Sequence, residues 1–145
     1  MKNLAILAVL FCTITLAQGQ NKNPWRDLSD VQIMTRQPDD SPFPIQYPVF
    51  GPKALALDGK TITLRGYMVP LDDMLGQNYF VLSSLPFNLC YFCGGAGPET
   101  VMEVFTKKEI PFDSDIITIR GTLELNPDDP DRLMYILRKA ELVEE

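Results

Sequence analysis

Cys90 and Cys93 carry the densest chemistry in the chain. They lie in Leu89-Cys90-Tyr91-Phe92-Cys93-Gly94-Gly95-Ala96-Gly97-Pro98-Glu99, which also holds three of the nine glycines. Two thiols at this spacing can close a disulfide, run a thiol–disulfide cycle or hold half of a metal site. A structural disulfide is the first reading. It closes a very small loop, so chain entropy supplies only about 2 kcal/mol. The second is a Zn or Cu(I) site, in which Asp72, Asp73, Glu99, a methionine or a partner protein completes the ligand set. The third is a redox-active pair, which needs a lowered thiol pKa, usually at a helix N-terminus. Gly94-Gly95-Ala96-Gly97-Pro98 is a poor helix start, and no thioredoxin-like βαβ pattern surrounds it. Haem attachment in its usual form is excluded, because Gly94 stands where the histidine is required.

The chain has no histidine. That removes Ser/His and Cys/His nucleophile pairs, histidine acid–base catalysis and histidine-ligated metal sites built from this chain alone. Gly94-Gly95-Ala96-Gly97 lacks the lysine and spacing of a phosphate-binding loop, and reads as a turn that lets the cysteines approach. Asp72-Asp73 reads first as a solvated loop, because no Asp-x-Asp ladder follows it. The methionines are scattered, and core packing explains Met68 and Met102 better than copper binding does.

The start of the chain predicts export. Lys2 gives a positive n-region, Leu4 to Leu16 is mostly apolar, and small residues near Ala17 and Gly19 offer a cleavage site. Residues 1–19 therefore read as a secretory signal peptide. The apolar run is too short for a membrane-spanning helix, so no transmembrane segment is expected in the mature chain. Leu10-Phe11-Cys12 is a poor lipoprotein box, and a lipid anchor is not favoured. Loss of Lys2 leaves twelve Lys plus Arg against nineteen Asp plus Glu, a net charge of −7. Such a surface disfavours nucleic acid. An oxidising periplasmic or external location favours pairing of the two cysteines that remain.

The elements that must position the Cys90–Cys93 loop are strands. After residues 20–23, Asn23-Pro24 predicts a short helix, with Trp25, Leu28 and Val31 at helical spacing up to about Met34 and the Trp25 face docked on the core. Residues 37–52, with five prolines, predict an extended strap along the domain. The regular domain is expected over residues 53–145. Asp58-Gly59 marks a turn. Ile62, Leu64, Gly66 and Met68 alternate with polar residues on a first strand. Residues 79–83 form a second, and Thr100 to Thr106 a third beyond the cysteine loop. Ile117, Ile119, Leu123 and Leu125 mark one face of a fourth. Residues 133–143 fit a helix or a strand, and barrel closure favours the strand. The fold class predicted is all-β: a small OB-like five-stranded barrel with a short N-terminal helix and a proline-rich extended segment.

Leu57-Asp58-Gly59-Lys60, Gly66-Tyr67-Met68-Val69-Pro70-Leu71, Gly97-Pro98-Glu99 and Val101-Met102-Glu103-Val104 together resemble a family of small exported bacterial proteins known only as a domain of unknown function. The resemblance covers roughly residues 50–143. Many members of that family carry Cys-x-His in the cysteine loop, and some lie near metal-uptake components. This chain has Cys90-x-x-Cys93 instead, which weakens a transferred metal role. The function expected is an exported cell-envelope binding or accessory protein, not an enzyme, with an envelope protein as partner. A thiol–disulfide redox accessory protein is the alternative.

Overall fold

The computed structural model describes residues 23–39, 42–69, 77–113 and 116–143. Two α-helical turns, α1 (Pro24–Leu28) and α2 (Pro52–Leu55), accompany seven strands. β1 (Val31–Arg36) and β2 (Ile45–Phe50) form a two-stranded antiparallel sheet. β3 (Thr61–Val69), β4 (Gln77–Ser83), β5 (Val101–Ile110), β6 (Ile116–Leu125) and β7 (Tyr135–Leu142) close a barrel in the order β3-β4-β5-β7-β6. β6 pairs back onto β3, and every pair is antiparallel except β5 with β7. This is the small all-β barrel expected from the sequence, and the ambiguous last segment is its closing strand.

Alternation builds the barrel. Inward Ile62, Leu64 and Met68 of β3 meet Phe80 and Leu82 of β4, and Ile119, Leu123 and Leu137 of β6 and β7, in one core. Gly66 is required where β3 crosses β4. A Cβ there would stand 2.5 Å from the Ser83 carbonyl oxygen, so only glycine lets the two backbones approach. On β6 the register against β7 shifts between Arg120 and Thr122, around Gly121. Such bulges bend strands at barrel corners.

The N-terminal segment differs from expectation in two details. α1 ends at Leu28, and residues 31–36 are extended instead of continuing the helix. The Asn23 side chain accepts from the Trp25 N–H, and Pro24 occupies the first turn. β-branched Val31, Ile33 and Thr35 then favour a strand as soon as a partner is present. The partner, Ile45–Phe50, lies inside the proline-rich segment and is extended as predicted but paired, with Ile33 facing Pro48 in register, whereas Pro52 opens α2. Proline is tolerated because a two-stranded sheet has only edge strands. Trp25 docks on the core as expected, 8% exposed, and its indole N–H donates to the Arg65 carbonyl oxygen at 2.9 Å. β5 runs beyond Thr106 to Ile110, with Lys107, Lys108 and Glu109 exposed and Glu103 buried.

Candidate functional site

The cysteines lie in the connection between β4 and β5. The Ser84 N–H donates to the Thr100 carbonyl oxygen at 2.9 Å and ties the two ends of that connection together. Ser83 is buried, and its hydroxyl both donates to the Leu85 carbonyl and accepts from the Leu85 N–H. Within this neck the chain folds as three short 3-10 turns, Phe87–Leu89, Tyr91–Cys93 and Pro98–Thr100. Pro86 and Pro98 start two of them. Gly94 ends the middle one with φ +76°, a left-handed conformation that glycine adopts without steric cost. The Cys93 and Gly95 N–H groups both donate to the Cys90 carbonyl oxygen, at 3.1 and 3.3 Å.

This knuckle separates the two thiols by environment. Cys90 is fully buried, whereas Cys93 is exposed. Both are free thiols with sulfurs 4.0 Å apart, and the Cys93 thiol donates to the Phe87 carbonyl oxygen at 3.1 Å. Desolvation, then the hydrogen bond and charge of Cys90, push the Cys93 thiol above its ordinary pKa. An attacking thiol in a redox enzyme needs exposure together with a lowered pKa. Cys93 has only the exposure, and Cys90 is shielded.

Two thiolates on one tetrahedral Zn, with Zn–S bonds near 2.3 Å, would stand about 3.8 Å apart. The observed separation is close to that. Glu99 does not join the pair: its carboxylate is folded against Gly97, within 2.2–2.6 Å of where a Cβ would sit. Among the described residues, no three His, Cys, Asp or Glu side chains converge as a metal-holding group. Asp72 and Asp73 lie outside the described residues.

The feature missed from the sequence is the apolar exposure of the residues beside the cysteines. Phe87, Leu89, Tyr91 and Phe92 are 64%, 50%, 38% and 52% exposed. Tyr91 and Phe92 meet edge to face, with ring centroids 5.4 Å apart. Four large apolar side chains are thus exposed on one short loop, and concentrated apolar exposure of this kind marks interaction sites. The signal was present in Phe87-Asn88-Leu89-Cys90-Tyr91-Phe92, a run too apolar for a solvated loop.

Tyr91 and Pro98 also line a cleft of about 220 Å³. Arg36, Tyr47 and Pro48 of the hairpin line it too, as does the β6–β7 turn from Asn126 to Pro130. The Arg36 guanidinium lies 5.2 Å from the centre of the Tyr47 ring. A second hollow, between the ends of β5 and β7, is rimmed by Lys107, Lys108, Glu109 and Glu141 and holds no aromatic side chain.

No family model and no curated protein matches the chain. Among solved structures the chain is similar to the crystal structure of a DUF3299 family protein from Pseudomonas aeruginosa PAO1, with 21% identity and a TM-score of 0.45. The similarity covers 62% of this chain, which spans 65% of that one. The likeness assigns this chain no family and no activity.

Proposed function

We propose that the protein is an exported, non-catalytic binding module of the cell envelope. Its recognition edge is the Cys90–Cys93 loop together with the adjoining cleft, and its partner is an envelope protein that offers an apolar segment. The observation that carries this reading is the exposure of Phe87, Leu89, Tyr91 and Phe92 on a loop anchored by the fully buried Cys90. Buried aromatic anchors dominate the energetics of protein–protein contacts, and three aromatic side chains and a leucine in water favour a covering surface. The apolar run before Ala17 directs export in this reading, and the net charge of the mature chain steers it away from nucleic acid. The test compares the full chain with a Phe87→Ser/Phe92→Ser variant whose fold is checked by circular dichroism. Loss of partner retention with the fold intact supports the proposal; unchanged retention refutes it.

The 4.0 Å sulfur separation favours a second reading, in which both thiolates bind Zn or Cu(I) and a partner supplies the other ligands. Metal analysis of protein purified without oxygen tests it. A stoichiometric soft metal supports this reading, and metal-free protein with two titratable thiols rejects it.

A further inference from the structure

Tyr91 belongs to both parts of the proposed recognition edge. It lies between the two cysteines, in the 3-10 turn that ends at Cys93, and it lines the cleft. The Phe87 carbonyl belongs to the preceding turn and accepts from two donors, the Cys90 N–H at 3.3 Å and the Cys93 thiol at 3.1 Å. The position of the Cys93 sulfur therefore ties the Phe87 turn to the Tyr91–Phe92 turn.

We infer that Cys90 and Cys93 form a reversible dithiol–disulfide switch that reshapes this aromatic edge and so gates what docks on it. The inference rests on the binding reading above and adds its regulation. A disulfide draws two sulfurs to about 2.05 Å, roughly half the 4.0 Å they keep as thiols. Cys90 is packed in the interior, so the exposed Cys93 makes most of that movement. As it moves, its thiol hydrogen leaves the Phe87 carbonyl, and the Tyr91–Cys93 turn is carried with it. The oxidant is a disulfide, small or protein-borne. The Cys93 thiolate attacks one of its sulfurs and forms a mixed disulfide, releasing the first thiol; the raised pKa of Cys93 makes this attack slow, as suits a stoichiometric switch and not a redox catalyst. The Cys90 sulfur then displaces the second. One sulfur–sulfur bond forms, one breaks, and the two protons leave on the two released thiols.

The test uses the full chain, reduced with a phosphine or oxidised with a dithiane disulfide. Mass spectrometry confirms the loss of two hydrogens. Amide spectra and the fluorescence of the apolar dye ANS report the edge. Oxidation is expected to shift the amides of residues 87–93 and also of Gln46, Tyr47, Asp128 and Asp129 of the cleft, and to change ANS fluorescence. Cys93→Ser keeps a donor for the Phe87 carbonyl and is expected to lose all response to the oxidant. Cys93→Ala removes that donor and is expected to shift Phe87 to Leu89 without any oxidant. Failure to lose two hydrogens overturns the switch. So do shifts confined to the cysteines and their immediate neighbours, or an oxidant response that survives in Cys93→Ser. ANS fluorescence that is equal in both forms but abolished by Phe92→Ser overturns the switch alone. No ANS binding in either form overturns the binding reading with it.

Discussion

The Tyr135 hydroxyl donates a hydrogen bond to the Leu28 carbonyl oxygen, joining two residues 107 positions apart. Leu28 is the last residue of α1, where helix carbonyls have no partner of their own. Tyr135 begins β7 and is fully buried, so one phenol fastens the N-terminal helix to the barrel. Phe50 at the end of the hairpin packs on the same ring, with centroids 5.8 Å apart. The hairpin that helps line the cleft therefore hangs on this point.

Tyr135→Phe should destabilise the protein by about 1–3 kcal/mol, because the buried Leu28 carbonyl loses its donor. The wild type should also lose stability in alkali. Burial first, then the charges of Glu99 and Asp30, raise the Tyr135 pKa well above its ordinary 10.0. Above about pH 10 the unfolded chain releases this proton and the folded one keeps it, so stability falls as pH rises. Thermal melts from pH 8 to 11 should show that slope in the wild type and a shallower one in Tyr135→Phe.

Arg132→Ala tests the β6–β7 turn. The Glu103 carboxylate is buried on β5 and accepts from Arg132 Nε and Nη2, at 3.1 and 2.6 Å, and from the Leu133 N–H at 2.8 Å. Removing the guanidinium leaves a buried charge without its counter-ion. The expected cost is roughly 2–4 kcal/mol, below that of a fully buried pair, since the Arg132 side chain is 33% exposed. Replacing Glu103 with leucine and Arg132 with methionine together should cost less than Arg132→Ala alone. Urea titrations of the three chains give the comparison.

Gly66→Ala should destabilise by about 1–3 kcal/mol through overpacking. The added methyl would meet the Ser83 carbonyl at 2.5 Å and Leu82 Cγ at 2.9 Å. The backbone atom has little room to yield, so the strands must part. A denaturant midpoint that does not move would show that β3 and β4 cross less closely than described.

Lys139→Gly should stabilise. Lys139 is exposed, sits in β7 and has φ +52°. Relief of the left-handed strain outweighs the chain entropy of glycine by about 0.5 kcal/mol. Lys139→Ala keeps the strain and should show no such gain in the same melts.

The barrel was legible because its signals are local. Alternation through Ile62, Leu64 and Met68, and through Ile117, Ile119 and Leu123, needs no tertiary context to place a face inward. The closing strand was legible only through the fold: residues 133–143 also carry a helical pattern, and pairing with β5 and β6 decides between them. The hairpin was hidden because helical spacing through Trp25, Leu28 and Val31 runs across the end of α1, and because prolines argue against a strand until the sheet is known to have only edges. At the site, the cysteines and the helix-breaking glycines were readable in advance. The burial of Cys90 beside an exposed Cys93, and the exposure of Phe87, Leu89, Tyr91 and Phe92, depend on how the short turns between β4 and β5 fold.

What meets Phe92 tests the proposed binding edge most directly. A photo-crosslinking amino acid placed at residue 92 of the full chain, and in parallel at the exposed Lys53 of α2, would report it. The account predicts one adduct of discrete mass from position 92, absent from position 53 and lost when Phe87→Ser is added. No adduct at position 92, or the same adducts from both positions, would contradict it.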